Sequence, residues 1–90
     1  MSEQERESLI EFPCDFPIKA MGETSEEFDA IVVGIVRQHV EDIHEGSVAT
    51  KQSSGGKYTS VTVTIRATSQ AQVDAVYRDL SSHDLVKYVL

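Results

Sequence analysis

Three histidines are the residues of this sequence best suited to metal binding. His39, His44 and His83 each fall at or just beyond the end of a predicted helix. No two of them stand four residues apart on a helix, and histidines in such places commonly interact with the helix dipole. The sequence therefore predicts neither a metal site nor a cofactor, although acidic residues lie close by. These acidic neighbours are Glu41, Asp42, Glu45 and Asp84.

The single cysteine and the glycine-rich segment are the other candidates for chemistry. Cys14 has no basic neighbour to stabilise a thiolate, so we expect a small, buried apolar residue. Residues 54–57 superficially resemble a phosphate-binding loop, but they lack its spacing and open a strand instead of a helix. We interpret them as a hairpin turn. Because no nucleophile elbow or dinucleotide fingerprint is present either, no catalytic residue is predicted.

The elements that must position these residues follow from the hydropathy pattern. Alternating apolar residues predict strands over residues 18–21, 47–52, 57–67 and 85–90, and a 3.6-residue period predicts a first helix over 25–40. A second helix is predicted from the buried stripe of Val73, Val76, Tyr77 and Leu80. This order is typical of an α+β, ferredoxin-like βαββαβ fold. Right-handed crossovers then give a four-stranded antiparallel sheet of order 4-1-3-2, with two helices on one face.

Two capping-box patterns place the beginnings of the helices. Thr24 with Glu27 precedes the first helix, and Ser69 with Gln72 precedes the second. Gly34 interrupts the first helix, where we expect close packing against a strand. The predicted core consists of Phe16, Ile18, Phe28, Ile31, Val32, Ile35, Val61, Val63, Ile65, Val73, Val76, Tyr77, Leu80, Val86 and Tyr88.

The acidic charge is concentrated near the N-terminus. Of the 15 acidic residues behind the net charge of −7, nine lie within residues 1–29. We expect residues 1–10 to form an acidic, flexible tail and residues 11–90 to form one domain. This charge, together with a single outward aromatic residue on the third strand (Tyr58), disfavours RNA and other nucleic acids as partners. Without a transmembrane-length apolar run or a basic leader, a cytoplasmic location is expected.

A cationic cluster is the one binding site that the pattern favours. Strand alternation directs Lys19, Arg66 and Lys87 to the sheet face opposite the helices, on three adjacent strands. Lys51 is a further candidate member. Such a cluster could hold a partner's acidic patch or an anionic ligand, whereas cations on an open face also serve solubility. The apolar rim expected around it consists of Met21, Leu85 and Val89.

Three segments resemble the YbeD family of small bacterial proteins of uncharacterised function. They are residues 12–22, residues 53–61 and the closing Val86-Lys87-Tyr88-Val89-Leu90. The resemblance implies a ferredoxin-like fold similar to ACT regulatory domains, which sense small molecules through paired subunits, so a homodimer stays open. It brings no catalytic residues, and it hints at a partner in lipoate attachment.

The function expected from these observations is a non-catalytic regulatory or adaptor module. It would bind a protein partner or a small anionic metabolite through its sheet face or edges. The alternative is a small enzyme or an enzyme accessory factor in acyl or lipoate metabolism. The lack of a nucleophile–base pair or of a poised pair of carboxylates weighs against that alternative.

Overall fold

The elements follow one another in the predicted βαββαβ order. The computed structural model describes residues 11–41 and 43–90, so the predicted tail over residues 1–10 lies outside the described residues. The elements are strand β1 (Cys14–Glu23), helix α1 (Phe28–Arg37), a 3-10 turn (Glu45–Ser47), strand β2 (Val48–Gln52), strand β3 (Tyr58–Ala67), helix α2 (Gln70–Ser82) and strand β4 (Tyr88–Val89).

The four strands form one sheet in the order β2-β3-β1-β4, which is the predicted order 4-1-3-2 read from the other edge. All three pairings are antiparallel. β3 is central and pairs along its whole length with β1. The α+β, ferredoxin-like fold class is therefore confirmed.

The core lies between the helices and the inner face of the sheet. Ten of the fifteen predicted core residues are buried, and Phe16, Ile35 and Tyr77 are half-buried against them, while Ile31 is also half-buried. The prediction omitted four buried apolar residues. These are Ala20, Val36, Val40 and Ala67.

β1 begins at Cys14, four residues before the predicted start, and it contains Pro17. A proline lacks the N–H that a central strand donates to its neighbours. Lys19 and Leu90 exchange both backbone hydrogen bonds, so the odd-numbered N–H groups of β1 point toward β4. β4 pairs with β1 at Ala20 and Met21, and Leu90 bonds to Lys19, so the nitrogen of Pro17 lies on the β4 side of β1 beyond these pairs. This is why the proline is tolerated.

The two helix starts had different outcomes. At α2 the Ser69 hydroxyl accepts a hydrogen bond from the Gln72 N–H at 3.1 Å, as predicted. At α1 the predicted cap is wrong, because the helix begins at Phe28 and its N-cap Glu27 makes no side-chain cap bond. The Thr24 hydroxyl shares a 2.8 Å hydrogen bond with Thr59 Oγ1 and thereby joins the end of β1 to β3.

Two glycines meet very different surroundings. A Cβ placed on Gly22 would collide with the Leu85 carbonyl oxygen and would lie 2.5 Å from the Phe28 ring. The absence of a side chain at Gly22 therefore lets the first buried residue of α1 pack on the strand. Gly34 has open space around it, so the close packing expected there is not found.

The last strand corrects the prediction most. It covers Tyr88–Val89 instead of residues 85–90, and Tyr88, predicted to be in the core, is 61% exposed. Val89 lies opposite the buried Ala20, whereas Tyr88 lies opposite Met21. Residues paired across an antiparallel sheet share a face, so the alternation is shifted by one residue. Tyr88 consequently faces away from the helices, and Val89 faces toward them.

Candidate functional site

A row of four side chains crosses the sheet on the face opposite the helices, the open face. The register joins Lys51 to Ser60, Ser60 to Met21, and Met21 to Tyr88, one residue from each strand. Neighbouring strands lie about 5 Å apart, so the row spans about 15 Å. It has a cationic end on β2 and an aromatic end on β4.

Two adjoining pockets, which together we name the tyrosine groove, lie along this row. The larger has a volume of about 380 Å³ and the smaller about 190 Å³. Met21, Ser53 and Tyr58 line both of them, so the two pockets share a wall. The larger also contacts Gly22, Lys87 and Tyr88, and the smaller also contacts Lys19, Lys51, Gln52 and Ser60.

The β2–β3 hairpin positions one wall of the tyrosine groove. Gly55 and Gly56 adopt φ values of 91° and 73°, which favour glycine, and the chain reverses there as predicted. Two hydrogen bonds between Ser53 and Tyr58 close the hairpin. The Ser53 N–H donates to the Tyr58 carbonyl at 2.8 Å, and the Tyr58 N–H donates to the Ser53 hydroxyl at 3.1 Å. Both residues are therefore held at the edge of the groove by the turn.

Lysines surround the apolar part of the groove. Lys19, Lys51 and Lys87 belong to its lining, and the Lys57 Nζ lies 5.5 Å from the centre of the Tyr58 ring. A cation at this distance from an aromatic face is attracted to it electrostatically. In a chain of net charge −7, four lysines around one groove make a local region of positive potential. Glu23, the strand partner of Tyr58, is the acid nearest to that residue in the register.

The structure separates the predicted cationic cluster. Lys19 and Lys87 both line the tyrosine groove, whereas Arg66 lies elsewhere on the open face. Lys19 is opposite Thr62, and Arg66 stands four residues farther along β3, about 13 Å away. Arg66 is also opposite Asp15, and the two side chains form an exposed ion pair at 3.3 Å. Lys51 joins Lys19 in the smaller pocket.

Lys87 and Tyr88 both line the groove, although strand alternation would place these two neighbours on opposite faces of the sheet. The Lys87 N–H donates to the Met21 carbonyl at 2.7 Å, although the register partner of Met21 is Tyr88. Lys87 and Tyr88 thus both lie against one residue of β1, as in a β-bulge, where the alternation of side chains is interrupted. The predicted apolar rim is wrong at Val89, which faces the core side.

Sequence reasoning missed Tyr88 as a residue of this site. Its placement depends on the one-residue irregularity at Lys87, because regular alternation through Val86, Lys87 and Tyr88 puts Lys87 on the open face and Tyr88 in the core. Tyr58 was predicted on the open face, because it alternates with the inward residues Val61, Val63 and Ile65 of the third strand. The glycine turn brings Ser53 to the groove beside it.

The histidines and the cysteine belong to other parts of the molecule. His39 Nε2 lies 2.6 Å from Asp79 Oδ2 and joins the end of α1 to α2, while the His83 ring accepts a hydrogen bond from the Leu85 N–H at 3.1 Å. Asp42 lies outside the described residues. Within residues 11–41 and 43–90, no three His, Cys, Asp or Glu side chains are grouped to hold a metal ion. Cys14 is half-buried and is a free cysteine.

Tyr77 supports the strand that carries Tyr88. Its hydroxyl donates to the Leu90 carbonyl at 3.1 Å, and its ring packs edge-on against Phe16 with ring centres 6.4 Å apart. Burial raises the pKa of the Tyr77 phenol above its usual value of 10.0. The neutral, hydrogen-bond-donating form is therefore favoured where α2 meets the end of the chain.

The comparisons with known proteins agree with the resemblance found in the sequence. The family model described as "Protein of unknown function (DUF493)" matches residues 7–90. A UPF0250 protein of Paraburkholderia phytofirmans is 54% identical over 93% of this chain and 94% of its own length. A UPF0250 protein of Neisseria gonorrhoeae is 48% identical over the whole of both chains.

Another UPF0250 protein, from the bacterium Janthinobacterium, is 52% identical over 93% of this chain and 92% of its own length. Across the described part of the chain, no helix combines the length and apolar character needed to cross a bilayer. The matched family model and these relatives cover nearly the full sequence. The chain belongs to the DUF493 family of bacterial proteins, whose function is uncharacterised.

Proposed function

We propose that this protein is a non-catalytic adaptor that regulates or recruits a protein partner by holding it in the tyrosine groove. The observation that carries the proposal is the composition of the groove. Tyr58 and Tyr88, whose side chains are 39% and 61% exposed, line the groove together with Met21. Lys19, Lys51 and Lys87 line the same groove, although the protein as a whole is acidic. Exposed aromatic residues with cations around them are typical of binding surfaces.

The lining of the groove supports binding more than chemistry. Among the described residues, the two pockets contact lysine, tyrosine, methionine, serine, glutamine and glycine. They contact none of the imidazole, thiol or carboxylate groups that most often act as general acids, bases or nucleophiles. That the protein is not an enzyme, and that it works in the cytoplasm, are parts of this proposal.

Charge complementarity identifies the chemistry of the partner. A surface with Lys19, Lys51 and Lys87 at its rim attracts carboxylates and repels basic segments. Rim charges chiefly increase the association rate and make binding sensitive to salt. The partner should therefore present acidic side chains around an apolar one.

The test is a capture experiment with three versions of the full chain. Tagged wild type, the triple variant K19Q/K51Q/K87Q and the control R66Q are incubated with lysate of the protein's own cells, and bound proteins are identified by mass spectrometry. R66Q removes a cation from the same sheet face but outside the groove. We expect one protein to be retained by wild type and R66Q and to be lost with the triple variant.

Two outcomes would contradict the adaptor. Equal retention of the partner by the triple variant in low salt would mean that the lysines only solubilise the face. Mass spectrometry of small molecules in the same eluates gives the second outcome. A carboxylated metabolite bound by wild type, with no protein retained, would identify a small-molecule sensor instead.

A further inference from the structure

The two pockets of the tyrosine groove differ in chemistry. In the larger, Met21, Tyr58 and Tyr88 make an apolar wall with Lys87 at its side. In the smaller, Lys19 and Lys51 lie near the hydroxyl of Ser60. A ligand that fills both therefore needs an apolar group and an anionic group in neighbouring positions.

The spacing between the two sites follows from the strands. Lys19 and Met21 are two residues apart on β1, so their Cα atoms are separated by about 6.6 Å along the strand. Lys51 approaches from the opposite side of Ser60, across one strand spacing. The distance from Met21 to Lys19 thus corresponds to one two-residue step of an extended chain. Lys51 lies two strand spacings, about 10 Å, from Met21, and its side chain lines the same smaller pocket as Lys19.

We propose that the tyrosine groove recognises an extended peptide segment of the partner in which a large apolar side chain and a carboxylate are two residues apart. The apolar side chain packs between Tyr58 and Tyr88 on Met21, and the carboxylate pairs with Lys19 and Lys51. Side chains at positions i and i+2 of an extended segment share one face, which lets both enter the sheet surface together. This inference rests on the proposed function and specifies its partner.

Other surfaces of the described chain do not indicate a specific ligand. The pocket formed by Asp15, His44, Ser47, Thr64 and Arg66 has a volume of about 420 Å³, but its arginine is already paired with Asp15. The outer edge of β2 is exposed and could add a strand, yet nothing there selects an occupant. The tyrosine groove combines shape with a charge pattern, and so it specifies a ligand.

The experiment uses peptides as probes and nuclear magnetic resonance as the readout. Four capped nonapeptides carry one Phe and one Glu in a Ser/Thr background, and a fifth carries Gln instead of Glu. Glu and Phe are two residues apart in the first two, in either order, and one or four residues apart in the next two. The fifth replaces Glu by Gln at the two-residue spacing. Each is titrated into the ¹⁵N-labelled full chain.

We expect both two-residue peptides to shift the backbone amide signals of Met21, Tyr58 and Tyr88. The other spacings and the Gln peptide should bind roughly 1.5-fold to fivefold more weakly, the range expected for one solvent-exposed ion pair. The variants Y88S and K51Q should lose this preference. R66Q, which keeps the groove intact, should retain it.

Three results would overturn the inference. Equal affinity for all spacings would show that the groove does not measure the distance between the two groups. Amide shifts that leave Met21, Tyr58 and Tyr88 unchanged would place binding elsewhere. The third result is that free 3-phenylpropionate, which has the same apolar and anionic groups, binds as tightly as the peptides. Such equal binding would identify the ligand as a small carboxylate.

The two proposals fail separately. If the spacings bind equally but the partner captured from lysate is still lost with K19Q/K51Q/K87Q, the adaptor function stands and only the spacing rule is wrong. If that partner is retained by the triple variant, the adaptor function is wrong, whatever the peptides show.

Discussion

Met21 and Tyr88 lie opposite each other on β1 and β4, on the face of the sheet that the helices leave uncovered. The residues next to them in the sequence, Ala20 beside Met21 and Val89 beside Tyr88, form the next pair and face the core side. This relationship moves an aromatic side chain from the expected core to the open face. It turns a polar sheet surface into a groove with an apolar floor.

The exposure of Tyr88 has a direct consequence for stability. Tyr88→Ala should change the free energy of unfolding by less than about 0.5 kcal/mol, as is usual for exposed sites. A buried aromatic residue would lose about 3–5 kcal/mol on the same truncation. Urea denaturation measures the difference, with Phe28→Ala as the buried control. A loss at Tyr88 as large as that at Phe28 would contradict the pairing of Tyr88 with Met21.

The centre of β3 should be sensitive to the loss of small groups. Val63 is fully buried, so Val63→Ala should lower the free energy of unfolding by roughly 1–3 kcal/mol through lost transfer energy and a residual cavity. The control Thr62→Ala changes the adjacent, partly exposed residue on the other face and should cost less. Urea titrations that place the two variants within a few tenths of a kcal/mol would count against this core.

Two glycine substitutions should have opposite effects. Gly34→Ala adds a methyl group to open space on α1 and should stabilise the protein by up to about 1 kcal/mol, because alanine has the higher helix propensity. Gly22→Ala places a methyl group against the Leu85 carbonyl and the Phe28 ring and should destabilise by about 1–3 kcal/mol or more. Thermal unfolding of both variants gives the signs. The same sign for both variants would contradict either the open space at Gly34 or the close contacts at Gly22.

Tyr77 should contribute to the alkaline limit of stability. Its pKa is raised above 10.0 by burial in the folded state, so the folded state holds the phenolic proton more tightly than the unfolded state. The associated stability is fully present below pH 10 and decreases as the pH rises above that value. Tyr77→Phe lacks this proton. The stability difference between wild type and Tyr77→Phe should therefore shrink between pH 9 and pH 11.5.

Urea titrations across that pH range test the Tyr77 prediction. Titrations of the remaining tyrosines occur in both proteins and cancel in the comparison. A wild-type advantage that stays constant from pH 9 to pH 11.5 would show that Tyr77 ionises equally easily in the folded and unfolded states.

Most of the fold could be predicted from the periodicity of apolar residues, because burial on one face leaves a repeating pattern in the sequence. The alternation through Val61, Val63 and Ile65 identified the central strand, and the Ser53–Gly56 turn identified the hairpin. Ser69 was correctly placed as a cap, because its hydrogen bond to the Gln72 N–H is made within one turn. Thr24 shows the limit of such local rules, since its hydroxyl bonds instead to Thr59, 35 residues away.

The sequence by itself determined the order of elements, the strand order, most of the core and the presence of Lys19 on the open face, since these follow from local periodicity and from the handedness of crossovers. Only the tertiary structure decided that Tyr88 faces outward, that Lys87 joins it beside Met21, and that Arg66 pairs with Asp15 away from the groove. The physical reason is that a short edge strand with apolar residues on both of its faces can pair in two registers. The choice between them depends on contacts with β1 and α2, which lie far away in the sequence.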